Sequence, residues 1–113
     1  MSQPVAFDIS IVLTTCPDAD LAHRIATTLV EEKLAACVNQ IAGVRSTYRW
    51  NGILQDEQEV MLIIKTTTEQ LATVESRIKT LHSYEVPEFI AIPVCAGSHA
   101  YLEWVRQNVD RLK

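Results

Sequence analysis

The sequence predicts an α+β sandwich of the split βαβ, ferredoxin-like kind, with a long hairpin between its second and third strands and an additional C-terminal helix. The chain has 113 residues, 48% of them hydrophobic, which suits one domain over residues 1–113 with a core over about residues 7–111. Its apolar residues follow strand and helix periods in the order β-α-β-β-α-β-α. Asn51-Gly52 lies between the two longest strand-like runs and predicts a tight hairpin turn.

The first half of the chain predicts a strand, a helix and a second strand. Residues Phe7 to Thr15 are apolar and rich in β-branched side chains, which is typical of a buried strand. Asp18 is a good N-cap, and apolar residues at helical spacing predict an amphipathic helix from Asp20 to about Lys33. The next strand begins at Ala35, and Ala42-Gly43 predicts a kink or bulge within it.

The hairpin from Ser46 to Lys65 is the most informative segment. Asn-Gly favours a type I′ turn because both central positions need positive φ. The turn sets the register, and the predicted facing pairs are Trp50 with Ile53, Tyr48 with Gln55, and Ser46 with Glu57. The returning strand is polar near the tip and apolar from Val60 to Ile64, so its base belongs to the core and its tip projects. A second copy of the chain is the simplest cover for Trp50 and Ile53 at that tip.

The second half completes the sheet and adds two helices. Thr67 followed by Gln70 is a capping-box pattern, and Leu71 to Leu81 carries an apolar stripe at helical spacing. Residues 89–94 predict a short strand that either lies at a sheet edge or ends at Pro93, because proline donates no backbone hydrogen bond. Ser98 predicts the cap of a last helix. All helices are expected on one face of the sheet.

Composition and motifs argue against several classes of protein. The net charge of −4 does not favour nucleic-acid binding. The polar start lacks the features of a signal peptide, and no apolar run approaches a membrane span of roughly 18 residues. Three cysteines without a C-x-x-C pair fit reduced thiols, so we expect a cytoplasmic protein. The three glycines form no phosphate loop and no nucleophile motif is present, so we expect no enzymatic activity.

Soft-metal ligands are present, but their spacing matches no closed site. Thiolate and imidazole suit copper and zinc. Cys16 is a candidate at a strand end beside Pro17, where an exposed thiol is expected. Cys37 is a second candidate, and a small core residue in an apolar strand is its alternative interpretation. His82 is the strongest histidine, because it ends a predicted helix and precedes Tyr84-x-x-Pro87-Glu88; a purely structural role is its alternative.

Charged residues on the hairpin have two interpretations each. Glu57 and Glu59 share a strand face and either bind a hard cation or a basic partner, or form a solvated strand edge. Arg45 and Arg49 could pair with the hairpin carboxylates across subunits. Lys65 either extends along the surface to reach solvent or reaches Glu88 or a ligand at a subunit junction.

Five segments in order resemble the CutA family of divalent-cation tolerance proteins. They are Glu32-Lys33-Leu34-Ala35-Ala36-Cys37-Val38-Asn39, Ser46-x-Tyr48-x-Trp50-x-Gly52, Glu59 to Thr66, His82-x-Tyr84-x-Val86-Pro87-Glu88 and Tyr101-Leu102-x-Trp104. The resemblance runs from about Ile9 to Val109. It implies a tightly packed homotrimer like that of PII-type signal proteins, with hairpins that extend sheets between subunits. It also implies a non-enzymatic role in tolerance of copper or another divalent cation.

The resemblance carries over to the site residues only in part. The copper site proposed for the family uses a cysteine at the end of the first strand and a His-His pair, and this chain has Thr14 and Leu81-His82 there. The metal candidates are His82, Cys16 and Cys37. The alternative function is a small-molecule sensor or interaction scaffold at the subunit clefts. Its candidate residues are Tyr48, Glu59, Lys65, Tyr84 and Glu88, and Trp50 and Ile53 are the candidates for the trimer interface.

Overall fold

A computed structural model describes residues 7–112, which form one four-stranded antiparallel sheet and three α-helices. In chain order the elements are β1 (Ile9–Cys16), α1 (Ala19–Glu31), β2 (Cys37–Trp50), β3 (Ile53–Thr67), a 3-10 turn (Thr68–Gln70), α2 (Leu71–Leu81), β4 (Ile90–Pro93) and α3 (His99–Gln107). The strands lie in the order β2-β3-β1-β4. The predicted order of elements is confirmed, and β4 is the predicted edge strand. Within the described range, no helix is both long and apolar enough to cross a bilayer.

The main core lies between one face of the sheet and the helices α1 and α2. Its fully buried apolar side chains include Val12, Leu62 and Ile64 from the sheet, Ile25 and Leu29 from α1, and Val74 from α2. Asp18 caps α1 as predicted, since its side chain accepts a 2.8 Å hydrogen bond from the Leu21 N–H. This packing fixes the position of β1 and β3, the two central strands.

The helix α3 packs on the face of the sheet opposite to α1 and α2. The prediction that all helices lie on one face is therefore wrong. Val105 of α3 and Val109, two residues past the end of the helix, belong to a second buried cluster that includes Ile9. Ile9 is three residues from Val12 on β1, so its side chain lies on the other face. The segment that follows the helix is held there because the Gln70 side chain donates a 2.7 Å hydrogen bond to the Asp110 carbonyl.

The hairpin of β2 and β3 has the predicted register. The pairs Trp50 with Ile53, Tyr48 with Gln55 and Ser46 with Glu57 all face each other. Asn51 and Gly52 have φ of 50° and 77°, as a type I′ turn requires. Residues near the tip are exposed, whereas Val60, Leu62 and Ile64 are buried at the base. The molecule extends 52 Å along its longest axis against 30 and 24 Å across, which agrees with a projecting hairpin.

A bulge interrupts β2 where the sequence predicts one. The register shifts between Ile41 and Val44, and Gly43 has a positive φ of 78°. Three steps along β2 from Ile41 to Val44 match two steps along β3, so β2 gains one residue. The extra residue keeps Ile41 and Val44 on the same face although they are three positions apart, an odd step that would otherwise place them on opposite faces.

The capping box predicted at the start of α2 is wrong. The Thr67 side chain makes no capping hydrogen bond, and a 3-10 turn precedes the helix. Gln70 cannot complete the box because its amide bonds the Asp110 carbonyl. A contact distant in sequence therefore overrides the local capping pattern at the start of α2. The first strand also differs from its predicted bounds, since it begins at Ile9 and not at Phe7.

Candidate functional site

A cleft of about 740 Å³ lies between the projecting hairpin and the connector from α2 to β4. Its lining is Thr15 from β1, Ser46, Thr47, Tyr48, Trp50 and Glu59 from the hairpin, and residues 83–88 from the connector. Four of the five predicted cleft residues meet here: Tyr48, Glu59, Tyr84 and Glu88. The register set by the type I′ turn places the hairpin residues Ser46, Tyr48, Trp50 and Glu59 on one face.

Glu59 is the most buried charged group in the cleft, with an exposed fraction of 6%. The Tyr84 hydroxyl donates a 2.8 Å hydrogen bond to Glu59 Oε2. Burial raises the pKa of Tyr84, and the hydrogen bond to the carboxylate raises that pKa further, so the phenol stays protonated and donates. Within residues 7–112, no lysine, arginine or histidine forms an ion pair with Glu59. The carboxylate therefore lies buried without a countercharge from residues 7–112.

A second carboxylate, Glu88, shares the cleft. Burial raises its pKa, and the negative charge of Glu59 raises it further. Glu85 lines the same cleft. On the hairpin side, the Tyr48 hydroxyl donates a 3.0 Å hydrogen bond to Glu57 Oε2, which raises the pKa of Tyr48. The cleft is thus lined by several carboxyl groups and by tyrosines whose hydroxyls already have acceptors.

His82 lies behind the cleft and holds the connector in place. The Tyr84 N–H donates a 3.0 Å hydrogen bond to His82 Nδ1, so Nε2 carries the proton and donates to the Thr15 carbonyl at 2.7 Å. The imidazole packs on the Tyr84 ring with centroids 4.6 Å apart. Its backbone N–H also bonds the Ile78 carbonyl at the end of α2. Because both ring nitrogens have partners, a metal could bind this ring only after one hydrogen bond breaks.

The two candidate cysteines occupy different parts of the sheet. Cys16 is fully buried on the core face and not exposed as expected, and burial, followed by the charges of Asp18 and Glu59, raises the pKa of its thiol to about 11. A protonated thiol is a poor metal ligand. Cys37 pairs with Lys65 of β3, and Cys16 pairs with Val60 of the same strand. The two cysteines are therefore five residues, or about 17 Å, apart along the direction of β3.

The structure therefore does not bring His82, Cys16 and Cys37 together within one chain. Across residues 7–112, no group of three or more histidine, cysteine, aspartate or glutamate side chains is arranged to hold a metal ion. Thr14, which occupies the position of a proposed family ligand, is fully buried, and its hydroxyl has no hydrogen-bond partner in the described part of the chain.

Lys65 lies outside the cleft. Its ammonium group donates a hydrogen bond to Asn39 Oδ1. Lys65 is six residues from Glu59 along β3, or about 20 Å, so it does not reach Glu59 or Glu88 in the same chain. It could join such a cleft only from another subunit.

The arginines of the hairpin pair within their own chain. Arg45 donates hydrogen bonds of 2.8 and 2.7 Å to the two carboxylate oxygens of Asp56. Arg49 donates to the Gly52 carbonyl at 3.5 Å. Both arginines alternate with Tyr48 and so lie on the face away from the cleft. The suggested pairing of Arg45 across subunits is therefore not needed to satisfy Asp56.

Trp50 lies at the hairpin tip and also lines the cleft, a second position that the sequence analysis does not assign to it. The sequence predicts Trp50 and Ile53 at a subunit interface, and their exposed fractions are 45% and 63%. Trp50 also lines the cleft, together with Ser46, Glu85 and Val86. The turn register already placed Ser46 and Trp50 on the face of Tyr48, so the signal for both was present in the sequence.

Comparisons with known proteins give a consistent result. Residues 10–108 match the family model described as CutA1 divalent ion tolerance protein. The chain is 47% identical over 98 residues to the divalent-cation tolerance protein CutA of Thermus thermophilus, covering 87% of this chain and 95% of that one. It is 41% identical to the chloroplastic protein CutA of Arabidopsis thaliana, covering 87% of this chain but only 54% of that longer protein.

Solved structures agree with the sequence matches. The crystal structure of a protein described as the stable protein CutA1 from the psychrotrophic bacterium Shewanella sp. SIB1 superimposes with a TM-score of 0.89. That chain is 45% identical, and the match covers 92% of this chain and 97% of the other. The similarity therefore extends to both sequence and backbone over most of the described residues.

Proposed function

Because the chain belongs to the CutA1 family of divalent ion tolerance proteins, we propose that it acts in divalent-cation tolerance as a non-enzymatic, cytoplasmic homotrimer that binds divalent cations, with copper as one candidate. The observation that carries the binding step is Glu59, a buried carboxylate that no cationic side chain of the described residues pairs with and that lines a cleft shared with Glu88. A divalent cation would compensate the buried negative charge of Glu59. It would also offset the repulsion between the Glu59 and Glu88 carboxylates.

The geometry favours Glu59 and Glu88 over the cysteines as ligands. Carboxylates suit hard and intermediate divalent ions, and imidazole and thiolate suit softer ones. His82 would position a ligand and not bind the metal itself, because the hydrogen bond that it accepts from the Tyr84 N–H holds the connector that carries Glu88. Cys16 would enter only if its buried thiol lost a proton, and Cys37 lies at the far end of the sheet.

Metal titration tests this assignment. Calorimetry with Cu(II), Zn(II) and Mg(II) should show affinity at least about tenfold weaker for Glu59→Gln and Glu88→Gln than for the unaltered protein. Glu31→Gln, which makes the same charge change at the exposed end of α1, is the matched control and should bind normally. Unchanged affinity in both cleft variants would remove these carboxylates from the site. Loss of copper binding in His82→Ala and Cys16→Ser instead would return the site to those residues.

Exposed apolar side chains on one sheet face support the homotrimer. On the face away from α1 and α2, Ile41, Ile90 and Ile92 are exposed at 44%, 51% and 46%. The same face continues along the hairpin to Trp50 and Ile53. A run of apolar side chains on one continuous face is typical of a subunit interface. The strand order β2-β3-β1-β4 likewise supports the ferredoxin-like arrangement that we propose for a single domain.

The size of the cleft favours a second candidate function, a sensor of small molecules. A volume of about 740 Å³ lies within the range of small-molecule sites and exceeds what one metal ion needs. Aromatic side chains form part of the lining, which a metal ion would not use. In this case the cleft would couple a bound ligand to the assembled subunits, as a PII-like sensor or interaction scaffold.

A further inference from the structure

We propose that each cleft is completed by the Lys65 ammonium group of a neighbouring subunit, which pairs with the buried Glu59 carboxylate. The proposal rests on the homotrimer of the proposed function and names the residues through which one subunit enters the site of the next. Glu59 is 6% exposed and forms no ion pair with a cationic side chain of residues 7–112. A buried charge without a partner is strongly unfavourable, so a cation from another chain would stabilise it.

Lys65 is the only cationic side chain that the four described strands place on the face of Glu59. On this face β3 carries every second residue from Ile53 to Thr67, and the other strands add the residues that pair with them. Glu57 and Glu59 are the only carboxylates in the same set. The exposed apolar residues that support the homotrimer also lie on this face. One face therefore offers a positive position and a negative position to neighbouring subunits.

The positive and negative positions cannot meet within one chain. Lys65 is six residues from Glu59 along β3, or about 20 Å. In a closed ring of three identical subunits, each subunit presents two different patches, one to each neighbour. Two patches of opposite charge that lie apart on one face meet this requirement, because the Lys65 end of one subunit can contact the Glu59 end of the next.

Lys65 would itself need a partner once a neighbouring subunit covers this face. Lys65 is half-buried, and its neighbours across the sheet are Cys37 and Ile11. Ile11 pairs in turn with Ile92, one of the exposed apolar residues. Within residues 7–112, the Lys65 ammonium group donates one hydrogen bond, to Asn39 Oδ1, so its other N–H groups remain for a further acceptor. A subunit that covers Ile92 would remove water from this ammonium group, and a carboxylate would replace that water.

A double-mutant cycle on trimer dissociation tests the pairing. Lys65→Met keeps the apolar stem without the charge, and Glu59→Gln keeps an acceptor for the Tyr84 hydroxyl. In sedimentation experiments across a urea series, each variant should raise the dissociation constant of the trimer at least about tenfold, and the double variant should be little worse than either. Because about 20 Å separates the two residues in one chain, such coupling reports a contact between subunits. Additive losses, or trimers as tight as the unaltered ones, would overturn the pairing.

Glu57→Gln is the matched control. Glu57 lies on the same face two residues from Glu59, but it is exposed and already accepts a hydrogen bond from Tyr48. Combined with Lys65→Met, this variant should give additive effects, and coupling as strong as that of Glu59→Gln would overturn the assignment to Glu59. If Glu59→Gln fails to fold, cross-linking of the unaltered protein with a carbodiimide decides the question. Peptide mapping should find Lys65 joined to Glu59, and Lys65 joined to another carboxylate or to none would overturn the pairing.

Metal titration separates this pairing from the tolerance function. Lysine and a divalent cation would compete for the Glu59 carboxylate. At protein concentrations that keep the trimer intact, Lys65→Met should therefore bind Zn(II) at least about tenfold more tightly than the unaltered protein. A measurable but unchanged Zn(II) affinity would overturn the pairing and leave the metal site intact. Coupling of Lys65 and Glu59 in a protein that binds no divalent cation would support the pairing and refute the metal site. A monomeric unaltered protein would refute the homotrimer and the pairing with it.

Discussion

The Tyr84 hydroxyl donates a 2.8 Å hydrogen bond to Glu59 Oε2, which ties the connector after α2 to the hairpin. Tyr84 is also held by His82, whose ring packs against it and accepts its backbone N–H. His82 in turn donates to the Thr15 carbonyl at the end of β1. A chain of contacts therefore runs from the central strand through the connector to the only carboxylate that the described structure buries.

Removing the Tyr84 hydroxyl should destabilise the protein. In Tyr84→Phe, Glu59 keeps its charge and loses its hydrogen-bond donor, so we expect unfolding in urea to require about 1–3 kcal/mol less free energy. Glu59→Gln should cost less, because the amide oxygen still accepts from Tyr84. If the two variants were equally stable, the charge on Glu59 would not be what the tyrosine stabilises.

Glu88 should make stability depend on pH. Its pKa is raised in the folded state, so its contribution to stability is complete below the ordinary carboxyl value of 4.5 and is lost as pH rises through the raised value. Glu88→Gln should therefore be more stable than the unaltered protein at pH 7, by less than about 1 kcal/mol because solvent screens the charges. The difference should vanish below about pH 4. Urea unfolding across pH 3–8 measures it, and a variant less stable at pH 7 would contradict the sign.

The ion pair of Asp8 and Arg106 should give stability the opposite dependence on pH. The hydrogen bond from Arg106 lowers the pKa of the Asp8 carboxyl group. The stabilisation is therefore present above the ordinary pKa of 3.8 and is lost as pH falls through the lowered pKa. Asp8→Asn should be less stable at neutral pH by up to about 1 kcal/mol, and equal to the unaltered protein in strong acid. An offset that stays constant with pH would point to packing rather than charge. Glu103→Gln, which removes a longer 3.4 Å contact with Arg106, is the control and should have a smaller effect.

The turn glycine should be costly to replace. Gly52 has φ of 77°, and a Cβ added there would meet no atom within 4 Å, so only the backbone conformation opposes a side chain. We expect Gly52→Ala to lose about 1–2 kcal/mol in a chemical denaturation experiment. Gly52→Asn is the matched control and should lose less, because asparagine tolerates this region. Equal losses in the two variants would argue against conformational strain.

The exposed apolar side chains on the face of the sheet away from α1 and α2 should control assembly. Ile92→Glu and Trp50→Ala should shift the protein from trimer to smaller species in sedimentation experiments, because each removes apolar surface from the proposed interface. Val30→Glu changes a residue of similar exposure, 42%, on α1 and should leave the trimer intact. Trimers unaffected by both sheet-face variants would place the interface elsewhere.

Local signals in the sequence account for most of the fold. Asn51-Gly52 fixes the register of the hairpin, because the turn allows little choice in pairing. Asp18 and Ser98 mark helix starts, and both side chains accept the expected capping hydrogen bonds. Thr67 fails as a cap because Gln70 bonds a carbonyl forty residues away, which no local pattern reveals.

The sequence predicts the positions of site residues only where they share one face of a strand. Tyr48 and Glu59 could be assigned to a shared face from the turn register, and Tyr84 and Glu88 came from the family resemblance. The distance between Cys16 and Cys37 could not be read from the sequence, because it depends on how β1 and β2 pair with β3. The protonation of the Cys16 thiol depends on burial, which also follows from tertiary packing.

The single extra residue in the bulge of β2 changes the path of the hairpin without changing its faces. Ile41 and Val44 are three positions apart on β2, yet they face Met61 and Glu59, which are two positions apart on β3. If Gly43 were deleted, the two strands would advance by equal steps, so Val44 would still face Glu59 and Tyr48 would stay on the same side. The deletion would instead remove the local bend and extra twist that a bulge gives its strand. The bulge is, in this sense, a determinant of the direction in which the hairpin leaves the core.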